Sequence, residues 1–203
     1  NIDGFYLSFT REPVELPEAE AAADFVGAFD AGSLKFRASQ PISQAVAVLG
    51  GAPYSYFRYE MHRAAEAGLA AYDAIADDFA RRFGRRWDAV ETYRLDDAEF
   101  AFVMIGSFAT KARDAVDRLR ARGWKIGLVR PRLVRPFPRA ALRKALGGRR
   151  AAAVVDQNLS IGGGGILATE LAAALYGIAG APLLASFIGG LGGRDITPEE
   201  FYE

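Results

Sequence analysis

Four consecutive glycines, Gly162, Gly163, Gly164 and Gly165, stand between the apolar run AAAVVDQN (151–158) and the helical pattern ILATELAAALYG (166–177). A glycine-rich turn from a strand into a helix is a place where backbone N–H groups and the helix dipole can collect an anion. The run lacks the G-x-G-x-x-G spacing of a dinucleotide site, and no Lys-Ser/Thr pair follows it as in a P-loop. It is therefore a weak anion-site candidate beside a second reading, a tight turn whose missing Cβ atoms let two backbones approach. A second glycine cluster, GGLGGRDITPEE (189–200), follows the last apolar run. Thr197, Pro198 and Glu200 have the N-cap, first-turn and third-turn-residue spacing of a capping box. Arg194, a weak binding candidate, and Asp195 can shape this loop, reach across a subunit boundary or meet a ligand.

Other groups with chemical potential are thinly spread. Between Asp117 and Asp156 there is no acidic residue, whereas twelve Lys and Arg fall in that interval. If they converge in space they attract an acidic partner or phosphates; if they sit on separate elements they pair with carboxylates elsewhere. In RPRLVRPFP (130–138) the prolines hold Arg132 and Arg135 on extended backbone, which suits a contact with a carboxylate at an interface. His62 is the sole histidine, inside a helical pattern, and no metal-ligand spacing is read around it. Ser107 follows Gly106 at a strand end but lacks the G-x-S-x-G elbow and a histidine placed to activate it. No catalytic residue and no metal ligand is assigned.

Composition narrows the class. A chain of 203 residues with 51% hydrophobic residues can bury a core, and equal numbers of basic and acidic residues argue against a nucleic-acid binder. There is no cysteine, which excludes disulfides and cysteine-held zinc or iron–sulfur clusters within these residues. No apolar stretch approaches the roughly 20 residues that span a bilayer, and no signal-peptide pattern opens the chain, so a cytoplasmic setting is expected. NIDGFYLSF begins like a strand in mid-course and without Met, as a piece of a larger polypeptide would.

The elements that must position these residues change character along the chain. Residues 2 to 9 read as a strand, and an irregular stretch with a helical patch near 18 to 26 follows. From Tyr56 to Phe83, Tyr59, Ala65, Leu69, Tyr72, Ile75, Phe79 and Phe83 recur mostly every three or four residues, an amphipathic helix ended by Gly84. After Asp96 and Asp97, apolar runs at 101–106, 125–134, 151–158 and 182–189 alternate with helical patterns at 108–123, 138–148 and 166–177. That alternation predicts a three-layer α/β/α domain over 98–203 with a mostly parallel sheet covered on both faces. Phe5, Phe25, Phe29, Phe36 and the ISQAVAVL run are expected to be exposed and to make the isolated chain self-associate.

Three ordered motifs, GSFATKARDAVDRLRARGWKIGLVRPRLVRPFP, VVDQNLSIGGGG and FIGGLGGRDITPEE, together with the opening DGFYLSFTREPVELP, resemble the α subunit of pyruvate:ferredoxin oxidoreductase and related 2-oxoacid:ferredoxin oxidoreductases. The resemblance covers nearly the whole chain and is densest from Gly106 to Glu200. It implies a complex that decarboxylates a 2-oxoacid on thiamine diphosphate with Mg, passes electrons through iron–sulfur clusters to ferredoxin, and transfers the acyl group to coenzyme A. Residues 98–203 would be its domain like the C-terminal domain of transketolase, and residues 1–97 the end of the preceding domain, a linker and the long helix. The domain that contacts thiamine diphosphate would lie mostly before Asn1, so this chain alone is expected to be inert and to act through other subunits of an oligomer, with coenzyme A a candidate ligand of the glycine loops. The alternative is an independent Rossmann- or flavodoxin-like small-molecule or nucleotide-binding module.

Overall fold

The computed structural model describes residues 13–30, 32, 35–43 and 51–202. The strand expected over residues 2 to 9, with Phe5, and most of the ISQAVAVL run lie outside the described residues. The chain divides into two compact units, one formed by Val14–Arg86 and the other by the residues from Trp87 onward.

The first unit contains α1 (Ala19–Val26) and α2 (Gly51–Phe83). α2 begins five residues before Tyr56 because Pro53 falls in its first turn, where a missing N–H costs nothing. It stops at Gly84, which takes φ 69° and donates its N–H to the Ala80 carbonyl at 2.9 Å. Phe25 of α1 meets Phe79 and Phe83 of α2 edge-on, with ring centroids 5.4 and 5.7 Å apart. Phe25 is therefore partly buried, contrary to the expectation of exposure, whereas Phe29 and Phe36 are exposed as expected.

The second unit is a five-stranded sheet in the order β1-β3-β2-β4-β5, formed by β1 (Val90–Tyr93), β2 (Phe100–Met104), β3 (Ile126–Pro131), β4 (Ala151–Asp156) and β5 (Leu183–Ile188). β3, β2, β4 and β5 run parallel, and β1 pairs antiparallel with β3, with Glu91 opposite Arg130. β1 lies in the VETY stretch that sequence periodicity left unassigned, since four residues are too few to show alternation. α3 (Phe108–Ala121), α4 (Arg139–Leu146) and α5 (Ile166–Leu175) connect the parallel strands, as crossover geometry requires.

Alternation along each strand sorts the core into two layers. Ala101 and Val103 of β2, Val129 of β3 and Val154 of β4 pack with Leu142 and Leu146 of α4 and Leu171 of α5. Phe102 and Met104, Leu128 and Val155 face the other way, onto Phe108, Ala112 and Val116 of α3 and onto Ile196. One face thus carries two helices and the other carries one, supplemented by the one-turn helix Glu199–Phe201, where Phe201 meets Phe102 at 5.7 Å. The edge strand β5 remains open on that side, with Leu183 and Phe187 exposed.

Two outcomes follow from this packing. Leu171→Ala, at a fully buried position, is expected to cost about 2–5 kcal/mol in urea denaturation, and Leu183→Ala, at an exposed one, less than about 0.5 kcal/mol. The second concerns acid: Arg120 donates to both carboxylate oxygens of Asp97 at 2.5 and 2.7 Å, and this hydrogen-bonded pairing holds the Asp97 carboxyl below its ordinary value. A depressed folded value means stability present above the unfolded value near pH 4 and lost as pH falls through the folded one. Asp97→Asn is therefore expected to lower the Tm at pH 7, and its deficit against the unmodified chain to shrink as pH is taken from about 5 to about 3.

Candidate functional site

In an open parallel sheet, ligands bind beyond the carboxyl ends of the strands, at the point where the strand order reverses. Here the chain leaves β2 for β3 on one side and then crosses to β4 on the other, so that point lies between β2 and β4. The β2 end supplies Gly106, at φ 74°, and Ser107, at the start of α3. The β4 end supplies Asp156 and the turn that holds the four glycines.

Asp156 is the one buried acidic residue among the described residues, 1% exposed. Its Oδ1 accepts the Leu167 N–H at 2.9 Å and the Asn158 side-chain amide at 3.0 Å, and its Oδ2 accepts the Ala168 N–H at 3.0 Å. The Asn158 Oδ1 accepts the Ile166 N–H at 3.1 Å. The first three amides of α5 are thus satisfied by two side chains from the end of β4, with no capping side chain at Gly165 itself. The negative charge that a helix N-terminus favours is already there, as the protein's own carboxylate.

The glycines answer to this arrangement. Gly162 and Gly164 take φ 81° and 85°, the left-handed region that other residues enter only at a cost. A Cβ on Gly165 would fall 2.2 Å from the Asp156 Oδ2, so only glycine lets the carboxylate reach the helix. The turn closes on itself through Ser160 and Gly164, each N–H donating to the other's carbonyl at 2.9 Å. Its tip carries Ile161, 97% exposed, with Leu159 and Ile166 also exposed beside it. Sequence reasoning singled out the glycines and missed Asp156 and Asn158; the available signal was an Asp closing an apolar strand shortly before an uncapped helix.

Arg194 lies elsewhere, at the end of β5. It lines a groove of about 520 Å³ whose floor is the open β4–β5 face, Ala153, Val155 and Phe187, and whose far wall is Phe201 and Tyr202. Arg194 donates to Glu200 Oε1 at 2.6 Å, and the other Glu200 oxygen accepts the Thr197 N–H at 2.9 Å, half of the capping box read from the sequence. Gly189 and Gly190 let Ile196 and Phe108 approach, since a Cβ on either would fall 2.5 Å from those side chains. Asp195 pairs with Lys111 of α3, and Glu199 with Arg118. Arg194 and the four glycines therefore belong to two separate loops, and Asp195 reaches α3 of its own chain.

The basic stretch does not converge. Arg120 pairs with Asp97, Arg130 and Arg132 with Glu91, Arg135 with Glu170 at 2.6 Å, and Lys125 and Arg150 with Glu99. Arg132 also stacks over Trp87 at 4.2 Å, and Arg143 and Arg149 donate to backbone carbonyls. Arg132 and Arg135, expected to meet a carboxylate at an interface, meet Glu91 and Glu170 of their own chain instead. His62 faces Glu66 at 3.5 Å one turn on, a carboxylate spacing that the sequence reading did not credit, but both are exposed. Among the described residues no three His, Asp or Glu side chains gather where they could hold a metal. With no cysteine in the chain, these residues offer no ligand set for an iron–sulfur cluster. Among the described residues no helix is long and apolar enough to cross a membrane.

The Asp156 clamp makes a graded prediction for urea denaturation. Asp156→Ala, which leaves buried amides without an acceptor, is expected to cost about 3 kcal/mol. Gly165→Ala is expected to cost a similar amount, because its Cβ displaces the same carboxylate. Gly163→Ala, whose Cβ would meet Ser160 Oγ at 3.3 Å, is expected to cost less than about 1 kcal/mol.

Residues 98–201 match the family described as pyruvate:ferredoxin oxidoreductase core domain II. The chain is 35% identical, over 96% of its length, to 49% of pyruvate synthase subunit PorA from Pyrococcus abyssi. It is 40% identical, over 72% of its length, to 37% of the ketoisovalerate oxidoreductase subunit VorA from the same organism. A solved 2-oxoglutarate:ferredoxin oxidoreductase from Magnetococcus marinus, with 2-oxoglutarate, coenzyme A and succinyl-CoA bound, superposes with a TM-score of 0.42 at 22% identity, over 61% of this chain and 20% of that one. The chain thus spans about half the length, or less, of the curated relatives it matches. With a sheet, crossovers and glycine turn laid out over the residues that match, the chain belongs to the pyruvate:ferredoxin oxidoreductase core domain II family.

Proposed function

We propose that this chain is the assembly portion of a thiamine-diphosphate-dependent 2-oxoacid:ferredoxin oxidoreductase, with pyruvate as the 2-oxoacid. In the complete complex the reaction is oxidative decarboxylation to acyl-coenzyme A with ferredoxin as electron acceptor, in the cytoplasm. In this reading thiamine diphosphate, Mg and the iron–sulfur clusters are held by other parts of the complex; among the described residues no group of His, Asp or Glu gathers to hold a metal, and the chain has no cysteine for a cluster. The family match supports the reading, and so does the relatives' description as subunits. The observation that carries the assembly role is the glycine turn. Its anion position is filled internally by Asp156 while its tip presents Ile161, Leu159 and Ile166 to the outside. An apolar loop tip on a rigid, internally satisfied turn is built to seat against another protein surface.

The test is reconstitution. Copurification of the chain with the remaining subunits should give pyruvate-dependent reduction of ferredoxin or a dye, and the chain alone should give none. Ile161→Glu is expected to weaken incorporation at least about tenfold without lowering the chain's own Tm. Absence of both association and activity in the full assembly would count against the reading.

The groove beside Arg194 favours a second reading, an independent small-molecule module. Calorimetry of the isolated chain with coenzyme A, nucleotides and thiamine diphosphate separates the two. Saturable binding abolished by Phe187→Asp would support the module, and the assembly reading expects no heat from any of the three.

A further inference from the structure

The last backbone hydrogen bond between the end of β5 and the rest of the sheet is the one that Gly189 N–H donates to the Asp156 carbonyl, at 2.9 Å. Beyond it the backbone bonds are local: Gly193 to Gly190, Arg194 to Leu191, and Glu200, Phe201 and Tyr202 to Thr197, Pro198 and Glu199. Among the described residues, the segment 191–202 is therefore held to the body of its unit by side chains alone. It is nonetheless held together in itself. One Glu200 oxygen takes the Arg194 guanidinium and the other the Thr197 N–H, which braces residues 194–200 as one piece. Between this piece and β5 stand Gly192 and Gly193, at φ 68° and 80°. A Cβ on Gly192 would meet nothing within 4 Å, so this glycine serves backbone conformation and not close packing.

The seat of the segment is one face of α3. Lys111, Arg118 and Arg122 follow one another at intervals of seven and four residues, which sets three cations in a row along the helix and its end. Lys111 pairs with Asp195. Arg118 pairs with Glu199 and donates to the Tyr202 hydroxyl at 3.4 Å, and the Arg122 guanidinium lies 4.7 Å from the centre of the Tyr202 ring. The two ion pairs are open to water, where each is weak and is screened by salt. Arg118 also has a carboxylate on its own helix, Asp114 at 2.8 Å, so it keeps a pairing when Glu199 leaves. Against release stand two apolar anchors, buried Ile196 and Phe201, whose ring meets Phe102. The sheet itself is held by its ladders and by both core layers, so opening of this segment lies well below unfolding of the unit. The groove of about 520 Å³ has Phe201 and Tyr202 of the segment on one side and Ala153, Val155 and Phe187 of the sheet on the other, and its width follows the segment's position.

We infer that residues 191–202 form a hinged strap that swings as one piece about Gly192 and Gly193, is latched electrostatically to the cation row of α3, and opens and closes the groove on β4 and β5.

Hydrogen exchange followed by NMR on the full 203-residue chain tests this. The amides of Arg194, Thr197, Glu200, Phe201 and Tyr202 are expected to share one protection factor, far below that of Val103 and Val154, and to be insensitive to low urea. Raising sodium chloride from about 0.05 M to about 1 M should speed their exchange about threefold by screening the latch. Arg118→Glu should speed it about fivefold, and Arg118→Glu with Glu199→Arg should return it to the starting rate. Gly192→Ala, which disfavours the left-handed backbone of the latched form, should speed it about fivefold and leave Val103 unchanged. Because the chain has no cysteine, Ala153→Cys places a single thiol on the groove floor. A bulky maleimide should alkylate it faster at high salt and faster again with Arg118→Glu. Protection that falls step by step toward Tyr202 would mean fraying of single residues and would overturn the proposal. So would exchange of these amides only together with Val103, rates indifferent to salt and to the charge swap, or alkylation at Ala153→Cys that Arg118→Glu does not change.

Discussion

The carboxylate of Asp156 is the constraint on which the second unit turns. A buried charge is expensive unless hydrogen bonds replace its lost water, and here the replacements are the first amides of α5 and the side chain of Asn158. Because those donors belong to the next element, satisfying the charge fixes where α5 begins relative to β4. The Asp156 carbonyl in turn accepts the Gly189 N–H at 2.9 Å, which ties the end of β5 to the same residue. One side chain and its backbone therefore hold three element ends together, and the glycine turn can be permissive in its dihedrals because it is clamped at both ends.

That clamp also decides what the first turn of α5 offers. A helix N-terminus with open amides is an anion site; one whose amides are spent on an internal carboxylate is a joint. The same economy operates in the β5 loop, where Glu200 serves Arg194 with one oxygen and the Thr197 amide with the other. Many polar groups in these loops pair with a neighbour, and large apolar side chains face outward beside them: Ile161 at one tip, Phe187 and Leu183 along the open edge strand.

Much of the fold was legible because its signals are local. Each parallel strand is a short apolar run, each crossover helix has a three-four apolar stripe such as Ala112 and Val116, and Gly84 stops α2 where the spacing says it should. What was not legible depends on partners distant in sequence. β1 exists because Glu91 and its neighbours pair with β3 some forty residues away, and no four-residue window announces that. Asp156 reads as an ordinary turn residue until the helix that it caps, eleven and twelve residues on, is folded back over it. Phe25 looked exposed because its cover, Phe79 and Phe83, lies more than fifty residues further along.

The basic stretch shows the same limit in electrostatic form. Twelve cations without an intervening carboxylate look like a field in one dimension. In three dimensions seven of them pair with five carboxylates, Asp97, Glu91, Glu99, Glu170 and Glu199, each brought from outside the interval. Field strength at a distance needs net charge of one sign over a surface, and each such pairing reduces it. Exposed apolar side chains on rigid supports, such as Ile161 at the tip of the clamped turn, are what this surface offers for contact.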